Sequence, residues 1–318
     1  MRTYAFASIS PVTARRWAAP IALIVLWFAA HAALAQSLGW EGPTGVFVTP
    51  LAYTAASPAK GLGKPSVGYH FLAAGNVVGD FSTVSITEGL AKRFEVGYTS
   101  EIHAGGNSDI TPLWNGDLNI VHGKANILPE NYGKHSWVPA ISVGAIGRFN
   151  DNYVGDGTNT TLPYGPGFGN GTQTTHNADF YLVGTKVITQ ISKKVPVLIS
   201  GGLRGTDAVL WGLGGNAPNY SAKGFGAAAL VFTGPGKSNI VVGAEVSQQP
   251  QQVLIHQTIA VPTSSIDIPT STVFAARIVP LPERKFNIDV GVLHAGEGRN
   301  NALLNLRYRP AFGLSYAF

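Results

Sequence analysis

Residues 304–318 read LNLRYRPAFGLSYAF. Every second position is apolar or aromatic: Leu304, Leu306, Tyr308, Pro310, Phe312, Leu314, Tyr316 and Phe318. Between them stand Asn305, Arg307, Arg309, Ala311, Gly313, Ser315 and Ala317. Successive side chains of a strand point to opposite faces, so this stretch carries one greasy face and one small or polar face. It is longer than an ordinary soluble strand. It exceeds the roughly 9–11 residues that a tilted strand needs to cross a bilayer. In a soluble sandwich the greasy face would instead have to lie against a second sheet.

The same two-residue period recurs along the chain. Phe94, Val96 and Tyr98 alternate with Arg93, Glu95, Gly97 and Thr99. Similar runs cover 141–149, 197–204, 240–247, 273–278 and 286–293. Weaker candidates lie near 44–53, 66–74, 79–88, 117–128, 178–189, 208–216, 224–233 and 253–261. Turn sequences such as Gly234-Pro235-Gly236-Lys237 and Pro280-Leu281-Pro282 separate some of them. No helical period is sustained. Pro43 and Pro50 fit a strand interior badly, so 44–53 reads equally as a lead-in. Barrels of a single bacterial chain take an even number of antiparallel strands. The expected fold is therefore all-β: an antiparallel transmembrane β-barrel of about 12 strands, within 10–14, closed by the C-terminal strand that ends in Phe318.

Composition supports this class. Hydrophobic residues make up 45% and charged residues only 12% of the 318, about half the usual charged share. After the first 35 residues no apolar run is long enough for a helical span. Apolar content dispersed in short alternating pieces is the barrel pattern. The chain has no cysteine, which removes disulfides, thiolate metal sites and cysteine nucleophiles.

The N-terminus reads as a secretory leader. Arg2, Arg15 and Arg16 supply a positive region, Ala18 to Ala30 (AAPIALIVLWFAA) an apolar core, and Ala33-Leu34-Ala35 a small-residue cleavage site. The expected organisation is a cleaved signal peptide at 1–35, using the general secretory route, and a single barrel domain at 36–318. Three of the 22 basic residues lie in the leader, leaving 19 against 17 acidic ones. That balance gives no support for a nucleic-acid partner.

A charge facing lipid at mid-depth costs about 2–4 kcal/mol, so the alternation sends charges inward. The inward basic set is Arg93, Arg148, Arg204, Arg277, Arg307 and Arg309, with Glu95, Glu245 and Asp289 as acidic partners. Lys124 and Lys186 have no clear parity. A ring of cations biases a pore toward anions, but Arg–carboxylate pairs across a narrow barrel would equally make a plug. Both readings stand. The Gly-rich polar stretch 150–177 is the expected long external loop, either mobile or folded inward.

No catalytic constellation is present in the sequence, and the chain is not read as an enzyme. Asp151, Asn152 and Asp156 lack the twelve-residue calcium-loop pattern, and Gly61-Leu62-Gly63-Lys64 lacks the P-loop spacer. The histidines have no ligand spacing, so no metal and no cofactor is expected. A Ser/His pairing assembled in space, for example His122 with Ser142, is the remaining enzymatic alternative.

Two resemblances add to this reading. A terminal Phe318 with aromatics at Tyr316 and Phe312 resembles the closing strand of bacterial outer-membrane barrels. The resemblance implies that these residues form an assembly signal, read by the barrel-assembly machinery. The stretch Trp40 to Thr54 (WEGPTGVFVTPLAYT), with Gly61-Leu62-Gly63-Lys64-Pro65, Val67-Gly68-Tyr69-His70, Thr87-Glu88-Gly89 and Leu113-Trp114-Asn115, resembles a proteobacterial exported family of unknown function. That similarity implies an envelope protein and transfers no activity. The partners expected are outer-membrane lipid, the assembly machinery and a small solute. The function expected is passive passage or binding of that solute with slight anion preference, or else a non-conducting structural or assembly role in the bacterial outer membrane.

Overall fold

The computed structural model describes residues 37–107, 117–149, 176–189, 195–209, 214–250, 252–254, 264–266, 270–280, 285–295 and 305–318. The leader at 1–35 and most of the 150–177 stretch lie outside the described residues.

Twelve antiparallel strands close into a barrel. In chain order they are β1 (Ser66–Ala73), β2 (Gly79–Leu90), β3 (Phe94–Gly105), β4 (Leu118–Leu128), β5 (Ala140–Phe149), β6 (His176–Ile188), β7 (Val197–Val209), β8 (Gly214–Thr233) and β9 (Asn239–Gln248). A small hairpin, β10 (Gln252–Leu254) and β11 (Ser264–Ile266), stands apart from the wall. The wall resumes with β12 (Thr270–Val279), β13 (Phe286–Ala295) and β14 (Arg309–Ala317). Neighbours in the wall follow chain order, with β9 beside β12, and β1 pairs with β14 from Ser66↔Ala317 to Leu72↔Ala311. Closure leaves no unpaired edge, which is the condition for a sheet to stand in hydrocarbon.

The alternation sorts the two faces. Val96, Tyr98, Val143, Leu182, Leu203, Val242 and Val290 are exposed on the outside. Their sequence neighbours Glu95, Thr99, Ser142, Val183, Arg204, Val241 and Asp289 are buried inside. An apolar outer face over a polar inner one is the lipid-exposed barrel arrangement. Both ends of the wall sequence lie at one end of the barrel. There Phe318 donates its backbone N–H to Pro65 O (3.2 Å), and Ala317 donates to Lys285 O (2.7 Å).

Two expectations change. The closing strand begins at Arg309, not Leu304: Asn305 and Tyr308 have positive φ, and Leu304 lies outside the described residues. Leu306 and Tyr308 keep the period but precede the strand. The candidate at 44–53 is not a wall strand. Residues 37–55 run inside the barrel, where they touch inward side chains on β1 to β9, β12 and β13.

The proline and glycine content of 37–55 explains why it leaves the ladder. Pro43 and Pro50 lack the backbone N–H that a ladder needs, and Gly39, Gly42 and Gly45 favour turns over extended pairing. The segment instead folds on itself through Gly39 N–H to Pro43 O (2.8 Å), Val46 N–H to Thr49 O (3.0 Å) and Leu51 N–H to Thr44 O (3.1 Å). Gly42 has φ of 100°, and a Cβ there would meet Thr99 Oγ1 at 2.4 Å and His122 Cε1 at 2.8 Å. Only glycine fits that point.

Leu182 sits midway along β6 on the outer face. Leu182→Arg is expected to lower stability in lipid vesicles by about 2–4 kcal/mol, read from denaturant unfolding. An unchanged midpoint would mean that this face does not meet hydrocarbon.

Candidate functional site

The site is the contact between the 37–55 plug and the barrel wall. Three groups of buried charges build it.

The first joins two wall arginines to one plug carboxylate. Glu41 Oε1 accepts from Arg148 Nε (3.1 Å), from Arg148 Nη2 and from Arg204 Nη2 (3.0 Å). Glu41 Oε2 lies 2.8 Å from Arg204 Nη2. From the wall, Asp179 Oδ2 accepts from Arg148 Nη2 (3.0 Å) and from Arg204 Nε (2.5 Å). Arg148 Nη1 also donates to Asn177 Oδ1 (2.9 Å). All four charged groups are buried.

The second group centres on Glu95. Its carboxylate pairs with Lys124 Nζ at 2.8 Å and accepts from Thr44 N–H (3.0 Å), Thr44 Oγ1 (2.8 Å) and Ala55 N–H (2.8 Å). Lys124 Nζ also donates to the plug carbonyls of Thr44 and Leu51, each at 3.0 Å.

The third group holds the plug's far turn. Glu245 accepts the backbone N–H groups of Phe47 (2.8 Å), Val48 (3.1 Å) and Thr49 (2.5 Å), with Thr49 Oγ1 (2.5 Å). Three convergent N–H groups make an anion-binding concavity, here filled by a wall carboxylate. Arg277 pairs with Asp289 at 2.6 Å and donates to the carbonyls of Gly45 (3.2 Å) and Val46.

Apolar contacts complete the seating. Leu51 packs with Val187, Leu198, Ala229, Val231 and Val241. Ala52 joins Ile120, Ile146, Val183 and Phe225. Where the plug turns out toward β1, Tyr53 Oη donates to Glu130 Oε2 (2.8 Å). Burial, reinforced by the Glu130 carboxylate, pushes the Tyr53 hydroxyl well above its ordinary pKa, so it remains a donor.

The residues singled out in the sequence fall in different places. Arg148, Arg204, Arg277, Glu95, Glu245 and Asp289 line the interior as partners of the plug or of one another. Arg93 lies in the β2–β3 turn, donating to the carbonyls of Asn126 and Ile127 at one rim. Arg309 donates to Asn305 O at the opposite rim, and Arg307 is exposed beside Tyr308 there. These three are not lumen residues, because each stands at or beyond the end of its strand. His122 faces Thr87 Oγ1 (3.3 Å) near Gly42, whereas Ser142 Oγ donates to Ala52 O (2.6 Å). The two are held by different parts of the plug, four register positions apart on β4. Phe312 and Tyr316 face outward on β14, and Tyr316 meets Phe318 edge to face at 5.0 Å.

Sequence reading missed Glu41, Asp179, Glu101 and the plug itself. Asp179 has the inward parity of β6 and was within reach of the alternation argument. Glu41 sits in a Gly/Pro stretch with no period to read. With these included, the buried charges among the described residues are four basic groups (Lys124, Arg148, Arg204, Arg277) and six acidic ones (Glu41, Glu95, Glu101, Asp179, Glu245, Asp289). Acids outnumber bases here, so the interior is not a cationic ring.

Fold and site together define a closed 12-strand antiparallel transmembrane β-barrel carrying its own N-terminal plug. No family model and no curated protein matches the chain. Among solved structures it is similar to the KdgM porin (TM-score 0.41, 10% identity, 80% of this chain and 99% of that one). It is likewise similar to the NanC porin (TM-score 0.41, 9% identity, 80% and 98%) and to the outer membrane protein Omp33 of Acinetobacter baumannii (TM-score 0.34, 10% identity, 80% and 98%).

Removing one partner from a buried ionic cluster costs about 3–5 kcal/mol. Glu41→Gln is expected to weaken plug seating on that scale. Added protease should then trim 37–55 rapidly while the far-UV circular dichroism of the barrel stays unchanged. A variant as resistant as the parent would show that Glu41 does not hold the plug.

Proposed function

We propose that the protein is an outer-membrane channel for a small solute, held closed by residues 37–55. One observation carries this reading: the wall is a complete barrel without the plug. Among the described residues no ladder joins the plug to a wall strand, and wall side chains hold the plug. Its withdrawal would break no β-ladder. It would expose a wall of Thr83, Ser85, Thr87, Thr99, Thr185 and Ser200 among the charged groups, a surface that water can solvate. The charge balance favours discrimination by size and hydrogen bonding over a general anion preference.

The strand ends that the longer connections join, Phe149 and His176 among them, stand at the end opposite Ser66 and Ala317. Long loops are external and short turns periplasmic in such barrels, which supports orienting the plug's exit toward the periplasm. Export by the 1–35 leader, with cleavage after Ala35, and assembly through the Phe312–Tyr316–Phe318 pattern complete the reading. A second reading, a non-conducting envelope barrel, draws on the apolar clusters that join Leu51 and Ala52 to the wall.

Gly42→Leu tests the two without touching a charge. A side chain there collides with Thr99 and His122, and the backbone strain alone is about 1–3 kcal/mol. In planar bilayers the parent is expected to be mostly silent and the variant to show stable steps, with open time raised roughly tenfold or more, as about 1.4 kcal/mol per decade requires. A variant that inserts and folds but stays silent would reject the channel and leave the structural barrel.

A further inference from the structure

The three ionic groups differ in one respect. On the wall, Lys124 is matched by Glu95 and Arg277 by Asp289. Arg148 and Arg204 both pair with the wall's Asp179. The plug's Glu41 is a second carboxylate that both of them reach. Lys223, opposite Arg204 in the β7–β8 register, is half-buried on the inner face. It adds a further cation. A gap of about 10 Å³ bordered by Arg204, Thr206, Lys223, Ser247 and Gln249 flanks the pair on the side of the long loops.

The arrangement has the form of a receptor. Asp179 and Asn177 fix the two guanidinium groups from the wall side, through Arg204 Nε (2.5 Å) and Arg148 Nη1 (2.9 Å). Arg148 Nε and Nη2 and Arg204 Nη2 meet on Glu41, and the Nη2 of each also reaches Asp179. Planar guanidinium groups oriented in advance bind carboxylates with directional, charge-assisted hydrogen bonds. The carboxylate they hold belongs to the segment that must leave for the lumen to open.

We propose that the Arg148–Arg204 pair, with Lys223 beside it, is a binding site for a carboxylate-bearing solute, and that Glu41 occupies it as a stand-in for that group. The proposal rests on the plug being displaceable. A solute carboxylate that enters the lumen competes with Glu41 for the two guanidinium groups. It binds only the unseated state and so shifts the population toward it.

The chain has no cysteine, so Ser37→Cys places a single label site in the full-length protein. Ser37 is buried in the seated plug, and its reaction with a membrane-impermeant maleimide reports withdrawal. The probes are propionate, which reproduces the head of a glutamate side chain, and its neutral isostere propionamide, at constant ionic strength. Propionate is expected to accelerate labelling saturably by at least about fivefold, the lower end of ordinary site-to-site coupling. Propionamide should not, and Arg204→Gln should abolish the propionate response. Equal action of the two probes would overturn the site. So would the absence of any propionate effect while Glu41→Gln in the same background labels fast, and that result would leave the displaceable plug standing. If Ser37→Cys stays unlabelled even with Glu41→Gln or Gly42→Leu, both the site and the channel reading fail.

Discussion

Two arginines on the wall, a wall aspartate and a carboxylate from elsewhere in the chain meet in one buried cluster. Much of the interior follows from that contact. Lipid outside the barrel forces charges inward, and a dry interior forces each to find a partner. Glu41 closes the cluster, and in doing so it draws the 37–55 segment into the lumen.

Once inside, the plug meets a second demand. Its backbone groups have left water without joining a sheet, and buried polar groups must be hydrogen-bonded. Wall side chains answer this. Lys124 and Arg277 donate to its carbonyls, Ser142 and Asn126 share Ala52 O, and Glu245 gathers three of its N–H groups. The same side chains would be solvated by water in an empty lumen. This is why the interior combines a filled core with a polar wall.

The charge inventory bears on solute choice. A reading of inward arginines alone suggests a cationic ring. Arg93, Arg307 and Arg309 stand at the rims, and Asp179, Glu101 and Glu41 add acids inside. Acids therefore outnumber bases among the buried groups. What remains is local: one pair of oriented guanidinium groups. Recognition in such a lumen depends on matching that pair, not on the average potential.

The fold class was legible because alternation is a local property. Lipid on one side and polar groups on the other impose a two-residue period, and Val96–Tyr98, Val143–Phe149 and Phe312–Tyr316 display it in plain sequence. The same period placed Arg148, Arg204, Arg277, Glu95, Glu245 and Asp289 inside. It failed at strand ends, where Arg93 and Arg307 keep the rhythm after the strand has stopped, because periodicity carries no signal for where a ladder terminates. Pro43 and Pro50 argued against a strand at 44–53, but nothing local says where a segment that is not a strand will go. That Glu41 lies between Arg148 and Arg204, 107 and 163 residues away, follows only from closure of the barrel. Closure brings distant strands around one axis, and it leaves a space that the plug fills.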